Sequence, residues 1–80
     1  MALVSMGPML KRARAQGYGI AAYNMIDYNS ARAIIGGAAA LDAPVIVQVS
    51  VKTVKHWGYQ PIANWVKELA SSVDIPVALH

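Results

Sequence analysis

The sequence predicts an α/β fold built on a parallel sheet, and three observations carry that expectation. Near-continuous apolar segments recur at 18–24, 43–50 and 75–80, as they do in strands buried on both faces. Stretches of helical periodicity lie between them, giving crossovers of about twenty residues, long enough to join parallel neighbours. Each apolar segment also stops on a hydrogen-bonding residue, Asn24, Ser50 or His80, at the carboxyl end where parallel folds gather their ligand-handling groups.

Taken in order, Ser5 caps a first helix running to about Gln16, with Gly17 as its stop and Met9, Leu10 and Ala13 on its apolar side. The stretch YGIAAYN, 18–24, is the first strand. Asp27 then caps a second helix over 28–41, where Ala31, Ile34, Ile35, Ala38 and Leu41 recur at three- and four-residue spacing. Gly36 and Gly37 inside it cost roughly 1 kcal/mol each relative to Ala, so close packing against a neighbour is expected to compensate. APVIVQVS, 43–50, is the second strand, followed by a loop rich in Lys and Thr. A helix from about Pro61 to Ser71 carries Ile62, Trp65, Val66 and Leu69 on one face, and IPVALH, 75–80, is the third strand.

Composition narrows the class. Of 80 residues, 56% are hydrophobic and only 14% charged, which is rich for a small free-standing domain and suits the interior of something larger. With no cysteine there is no disulfide framework, in keeping with a cytoplasmic setting. The start MALVSMGPML has no positive region ahead of its apolar residues, and no apolar run approaches the ~20 residues of a membrane span. Neither a membrane nor a nucleic-acid partner is expected. The net charge of +3 includes a cluster of Lys11, Arg12 and Arg14, which reads as a solvated helix face because nucleic-acid binding asks for a longer basic stripe with aromatics among it.

Two parallel architectures fit the spacing, an open doubly wound sheet and the first part of a (β/α)₈ barrel. The segment NMIDYNS after the first strand lacks the glycines that cradle a dinucleotide, and the GYG at 17–19 precedes that strand when such a fingerprint should follow it. There is no P-loop, nucleophile elbow, cysteine pair or histidine pair at metal spacing. Asn24, Ser50 and His80 each have an ordinary reading as a turn or structural residue. Their coincidence at three strand ends favours a ligand site.

The succession LVSM, GYGIAAYN, APVIVQVS and DIPVALH resembles the amino-terminal part of class II, metal-dependent ketose-bisphosphate aldolases, the group that includes the fructose- and tagatose-bisphosphate enzymes. The resemblance covers essentially the whole chain, and its most specific pieces are the strand ending in Gln-x-Ser and the terminal Pro-Val-x-Leu-His, which that family continues as x-Asp-His. It implies three β/α units plus a leading helix of a TIM (β/α)₈ barrel, with residues 1–80 a partial barrel domain ending at the carboxyl end of the third strand. It also implies cleavage of a ketose 1,6-bisphosphate to dihydroxyacetone phosphate and an aldehyde, a bound Zn²⁺ in the complete enzyme, and a homodimer or higher homo-oligomer. Asn24 and Ser50 would be substrate-binding, with Ser50 near the dihydroxyacetone-phosphate phosphate. His80 would stand beside the site without ligating the metal.

The catalytic aspartate and the first zinc-ligand histidine would lie just past His80, so the segment is expected to be inactive alone and to bind no zinc tightly. SVKTVKHWG departs from the family's pattern after the serine. Lys52, Lys55 and His56 are therefore read as a solvated loop, with steering of a doubly anionic substrate as their alternative role. The alternatives for the whole are a small α/β binding or interaction module without catalysis and another phosphate-handling barrel enzyme.

Overall fold

The computed structural model describes residues 2–80. Its elements are α1 (Met6–Gln16), β1 (Ala21–Asn24), α2 (Tyr28–Ala40), β2 (Val45–Gln48), α3 (Val51–Trp57), α4 (Tyr59–Ser71) and β3 (Val77–Leu79). The three strands form one parallel sheet in the order β1-β2-β3, with Ala21 opposite Val45 and Val45 opposite Val77. Both crossovers return on the same face. Ala31 and Ile35 of α2 and Ile62, Val66 and Ala70 of α4 share one buried cluster with Val45, Val47 and Val77. Sequential strands with all crossover helices on one side are the geometry of a closing β/α barrel, whereas a doubly wound sheet places helices on both faces.

The opposite face of the sheet carries the alternate residues, as strand periodicity demands. There Ile46 and Ala78 pack with Met9 of α1, flanked by Val4, Met6 and Ile20. Helix α1 thus lies across the inner face at the amino ends of the strands. The chain leading into it is held there by a hydrogen bond from Val4 N–H to Val77 O at 2.9 Å.

The helix starts follow the local chemistry. Asp27 accepts from Ser30 N–H at 2.7 Å while the Ser30 hydroxyl accepts from Asp27 N–H at 3.1 Å, a reciprocal capping box. The backbone N–H of Ser30, then its hydroxyl, hold the Asp27 carboxyl below the ordinary carboxylate value. Ser5 occupies the N-cap of α1 but its side chain caps nothing. Gly17 ends that helix at φ 76° and Gly58 separates α3 from α4 at φ 87°, left-handed positions that favour glycine.

Several expectations need correction. The Lys- and Thr-rich stretch after the second strand is helix α3, and α4 begins at Tyr59, two residues before Pro61. Proline is tolerated in that first turn because its missing N–H has no helical partner there. The strands are shorter than the apolar runs that announce them. Leu10 and Leu41, placed on apolar helix faces, are 44% and 81% exposed. No neighbour comes within 4 Å of a Cβ built at Gly36 or Gly37, so the two glycines lie on an exposed face of α2 with no described residue packed against them.

Candidate functional site

The site is built by register. Asn24 pairs with Gln48 across β1 and β2, and the ladder runs one step further on the other side of β2. There His80 N–H donates to Val47 O at 2.8 Å and Val49 N–H donates to His80 O at 3.0 Å, so His80 stands opposite Gln48. Asn24, Gln48 and His80 therefore form one row at the carboxyl ends of the strands. Counting back by two reaches Ala22, Ile46 and Ala78, so the row lies on the inner face that α2 and α4 leave uncovered. Asn24 and His80 are exposed, Gln48 half-buried. No side-chain hydrogen bond links the three among the described residues.

Ser50 sits elsewhere. It is the N-cap of α3, where its hydroxyl accepts from Thr53 N–H at 3.3 Å and lies 3.2 Å from the Thr53 hydroxyl. The expected trio of strand ends is thus an amide, an amide and an imidazole in line, with the serine one step beyond as a helix cap. Gln48 is the residue the strand-end reasoning passed over. Its signal was in the sequence: two before Ser50 in Gln-x-Ser, it shares the serine's parity and hence its face.

The cap has a measurable consequence. Ser50→Ala is expected to lower the stability of the complete barrel by about 0.5–2 kcal/mol, because it leaves the first turn of α3 without its acceptor. Ser50→Asp is expected to retain most of it. Equal melting curves for Ser50→Ala and the parent protein would show that Thr53 holds the turn unaided.

Beside the row, Ser50, Lys52, Thr53, Lys55, His56, Trp57 and Ile26 line an open hollow of about 570 Å³. Lys55 and His56 fall in the last turn of α3, where the Lys55 cation complements the helix dipole. The rest of the mouth is tied together by aromatic rings. Trp57 meets His56 edge-on at 4.7 Å and Trp65 at 5.2 Å, and Trp65 meets Tyr28 at 6.1 Å. The Trp57 indole N–H donates to Ile26 O at 2.8 Å. A second hollow, about 730 Å³, lies at the opposite end of the strands between α1 and Pro44 and Pro76.

Two chemical limits follow from this geometry. Among the described residues no three His, Cys, Asp or Glu side chains converge on a common point, so these residues do not fit a zinc site, which asks for at least three protein ligands. No described helix is long and apolar enough to cross a membrane. What the residues can do is donate and accept hydrogen bonds at a mouth with cations nearby.

Comparison with known proteins agrees with this architecture. The family profile described as fructose-bisphosphate aldolase class-II matches residues 4–80. A 6-phospho-5-dehydro-2-deoxy-D-gluconate aldolase of Halalkalibacterium halodurans is 41% identical over 100% of this chain and 29% of its own length. A sulfofructosephosphate aldolase of Alkalicoccus urumqiensis is 29% identical over 100% of the chain and 28% of its length. A fructose-bisphosphate aldolase of Thermus caldophilus is 35% identical over 90% of the chain and 23% of its length. The chain spans about a quarter of the length of these curated relatives. With its profile matched over nearly every residue and its strands and crossovers laid out as an opening β/α barrel, the chain belongs to the class II fructose-bisphosphate aldolase family.

Proposed function

We propose that these residues are the opening segment of a class II aldolase that cleaves a phosphorylated ketose to dihydroxyacetone phosphate and an aldehyde. The observation that carries the reading is the row Asn24, Gln48 and His80 on the inner face at the carboxyl end of the sheet, in a chain matched to that family over residues 4–80. In a closed barrel this face and this end meet at the substrate mouth.

The chain's own residues act there by binding and orienting. The Asn24 and Gln48 amides each offer donors and an acceptor for the hydroxyls and carbonyl of an open-chain sugar. Held at fixed spacing by the ladder beneath them, they select one conformation of a flexible substrate and so lower the entropic part of the barrier. His80 completes the row as a hydrogen-bonding neighbour of the reacting groups. Ser50, Lys52 and Lys55 place a hydroxyl and positive charge beside the row, which suits an anionic substituent on the substrate.

The ligands that would hold the zinc the family implies, and the carboxylate that would move protons, belong to residues other than 2–80. A ketose 1,6-bisphosphate is our substrate assignment; the relatives named for a sulfofructose phosphate and a deoxygluconate phosphate mark the range of groups the same mouth would meet. A cytoplasmic homodimer or higher homo-oligomer completes the proposal.

The test is a complete barrel made by joining residues 1–80 to the remaining residues of the Halalkalibacterium relative. It is expected to release dihydroxyacetone phosphate from at least one of fructose bisphosphate, tagatose bisphosphate, sulfofructose phosphate and 6-phospho-5-dehydro-2-deoxygluconate. A folded chimera that cleaves none of them would overturn the reading.

A further inference from the structure

Trp57 lies outside the row, and none of the comparisons gives it a part. We propose that it is a positioning residue, setting the loop that follows Asn24 against the helix that follows Ser50. The proposal rests on the aldolase reading of the mouth and adds to it a residue that acts through others.

In the loop in question, Met25 to Asp27, every backbone N–H has a partner. Met25 N–H donates to Gln48 O at 2.9 Å, and the Ser30 hydroxyl takes the N–H groups of Ile26 and Asp27 at 2.9 and 3.1 Å. The Ile26 carbonyl receives the Trp57 indole N–H at 2.8 Å, from a residue 31 positions away. The Ser30 bonds lie within the same turn and cannot place the loop relative to the next β/α unit. The indole bond can, because α3 carries Trp57 and is itself anchored at Ser50 on the end of β2.

The packing reinforces the bond. Trp57 is 40% exposed and Ile26 64%, so neither is a core residue whose place is explained by burial. The indole plane is instead held by the edge-on ring of Trp65, which meets Tyr28 at the start of α2. The indole of α3 therefore meets α4 directly through Trp65, and the loop leading into α2 through its hydrogen bond. Its N–H ends two residues from Asn24, and its own helix starts at Ser50, the two residues first expected to bind substrate.

The experiment uses the complete chimeric barrel described above and two substitutions. Trp57→Phe keeps an aromatic ring and removes the N–H. Trp65→Phe changes the ring stack but not the indole bond, since the Trp65 N–H has no acceptor among the described residues. Trp57→Phe is expected to raise KM for the cleaved ketose phosphate about three- to tenfold with kcat within about twofold of the parent, the pattern of groups that bind substrate and transition state alike. Trp65→Phe is expected to lower the melting temperature at least as much while leaving KM within about twofold.

Hydrogen exchange gives a readout independent of turnover. The amides of residues 25–30 should exchange faster in Trp57→Phe than in the parent, and not in Trp65→Phe. An equal rise in KM for both variants, or unchanged exchange over 25–30 in Trp57→Phe, would overturn the role. A chimera without activity would refute the aldolase reading alone, and the exchange comparison would still decide the place of Trp57.

Discussion

Residues 1–80 expressed alone are expected to sediment as a mixture of associated species and to give no cooperative monomer melt. The surface is the reason. The chain exposes 5190 Å², against ~4,650 Å² for a typical folded monomer of its mass. Part of the exposed surface is apolar and lies at the β1 margin of the sheet. All four residues of β1 are exposed, with Tyr23 at 57%. Beside them Ala33, Gly37 and Leu41 of the first crossover help line an apolar hollow of about 460 Å³.

Among the described residues both outer strands present open edges, with the Val77 carbonyl taken by Val4, and open parallel edges recruit other chains. The same residues in the chimera should be covered and give one cooperative transition. A monodisperse 80-residue monomer in sedimentation, melting cooperatively in calorimetry, would show that α1 and the outer helices suffice to close the fold.

Ile35→Ala in the complete barrel is expected to cost about 2–5 kcal/mol, enough to displace the urea midpoint visibly or to prevent folding. Ile35 is 1% exposed and lies in the cluster where α2 meets α4 and β2. Truncating it leaves a void bounded by Val45, Val66 and their neighbours, which are themselves fully packed and slow to collapse into it. Ile35→Val, which removes one methylene, should cost roughly 0.5–1.5 kcal/mol. A midpoint unchanged in Ile35→Ala would mean that the two helices repack without it.

The helix carrying Ile35 shows how far the sequence reaches. Its start at Asp27 and its buried stripe of Ala31 and Ile35 were legible because capping and helical periodicity involve residues three or four apart. Its Gly36 and Gly37 were expected against a neighbour, and none of the described residues supplies one. Helix α3 failed to announce itself for a different reason. Val51, Thr53 and Val54 are β-branched and weak helix formers, so propensity favoured a loop. The Ser50 cap, the burial of Thr53 and the ring contact of Trp57 with Trp65 override that preference.

By itself the sequence determined the order of the strands and of every helix but α3, the parallel sense of the sheet and the polar character of the strand ends, and its motifs pointed to the family that the comparisons bear out. These properties rest on short-range spacing and on the length of the crossovers. Only the tertiary structure decided that both helical crossovers share one face, that Gln48 joins Asn24 and His80 in a row, and that Ser50 is used as a helix cap. Register is the physical reason: a shift of one residue between strands sends every side chain to the other face. Hydrogen bonds between residues more than twenty positions apart set that register, and no local pattern in the chain encodes it.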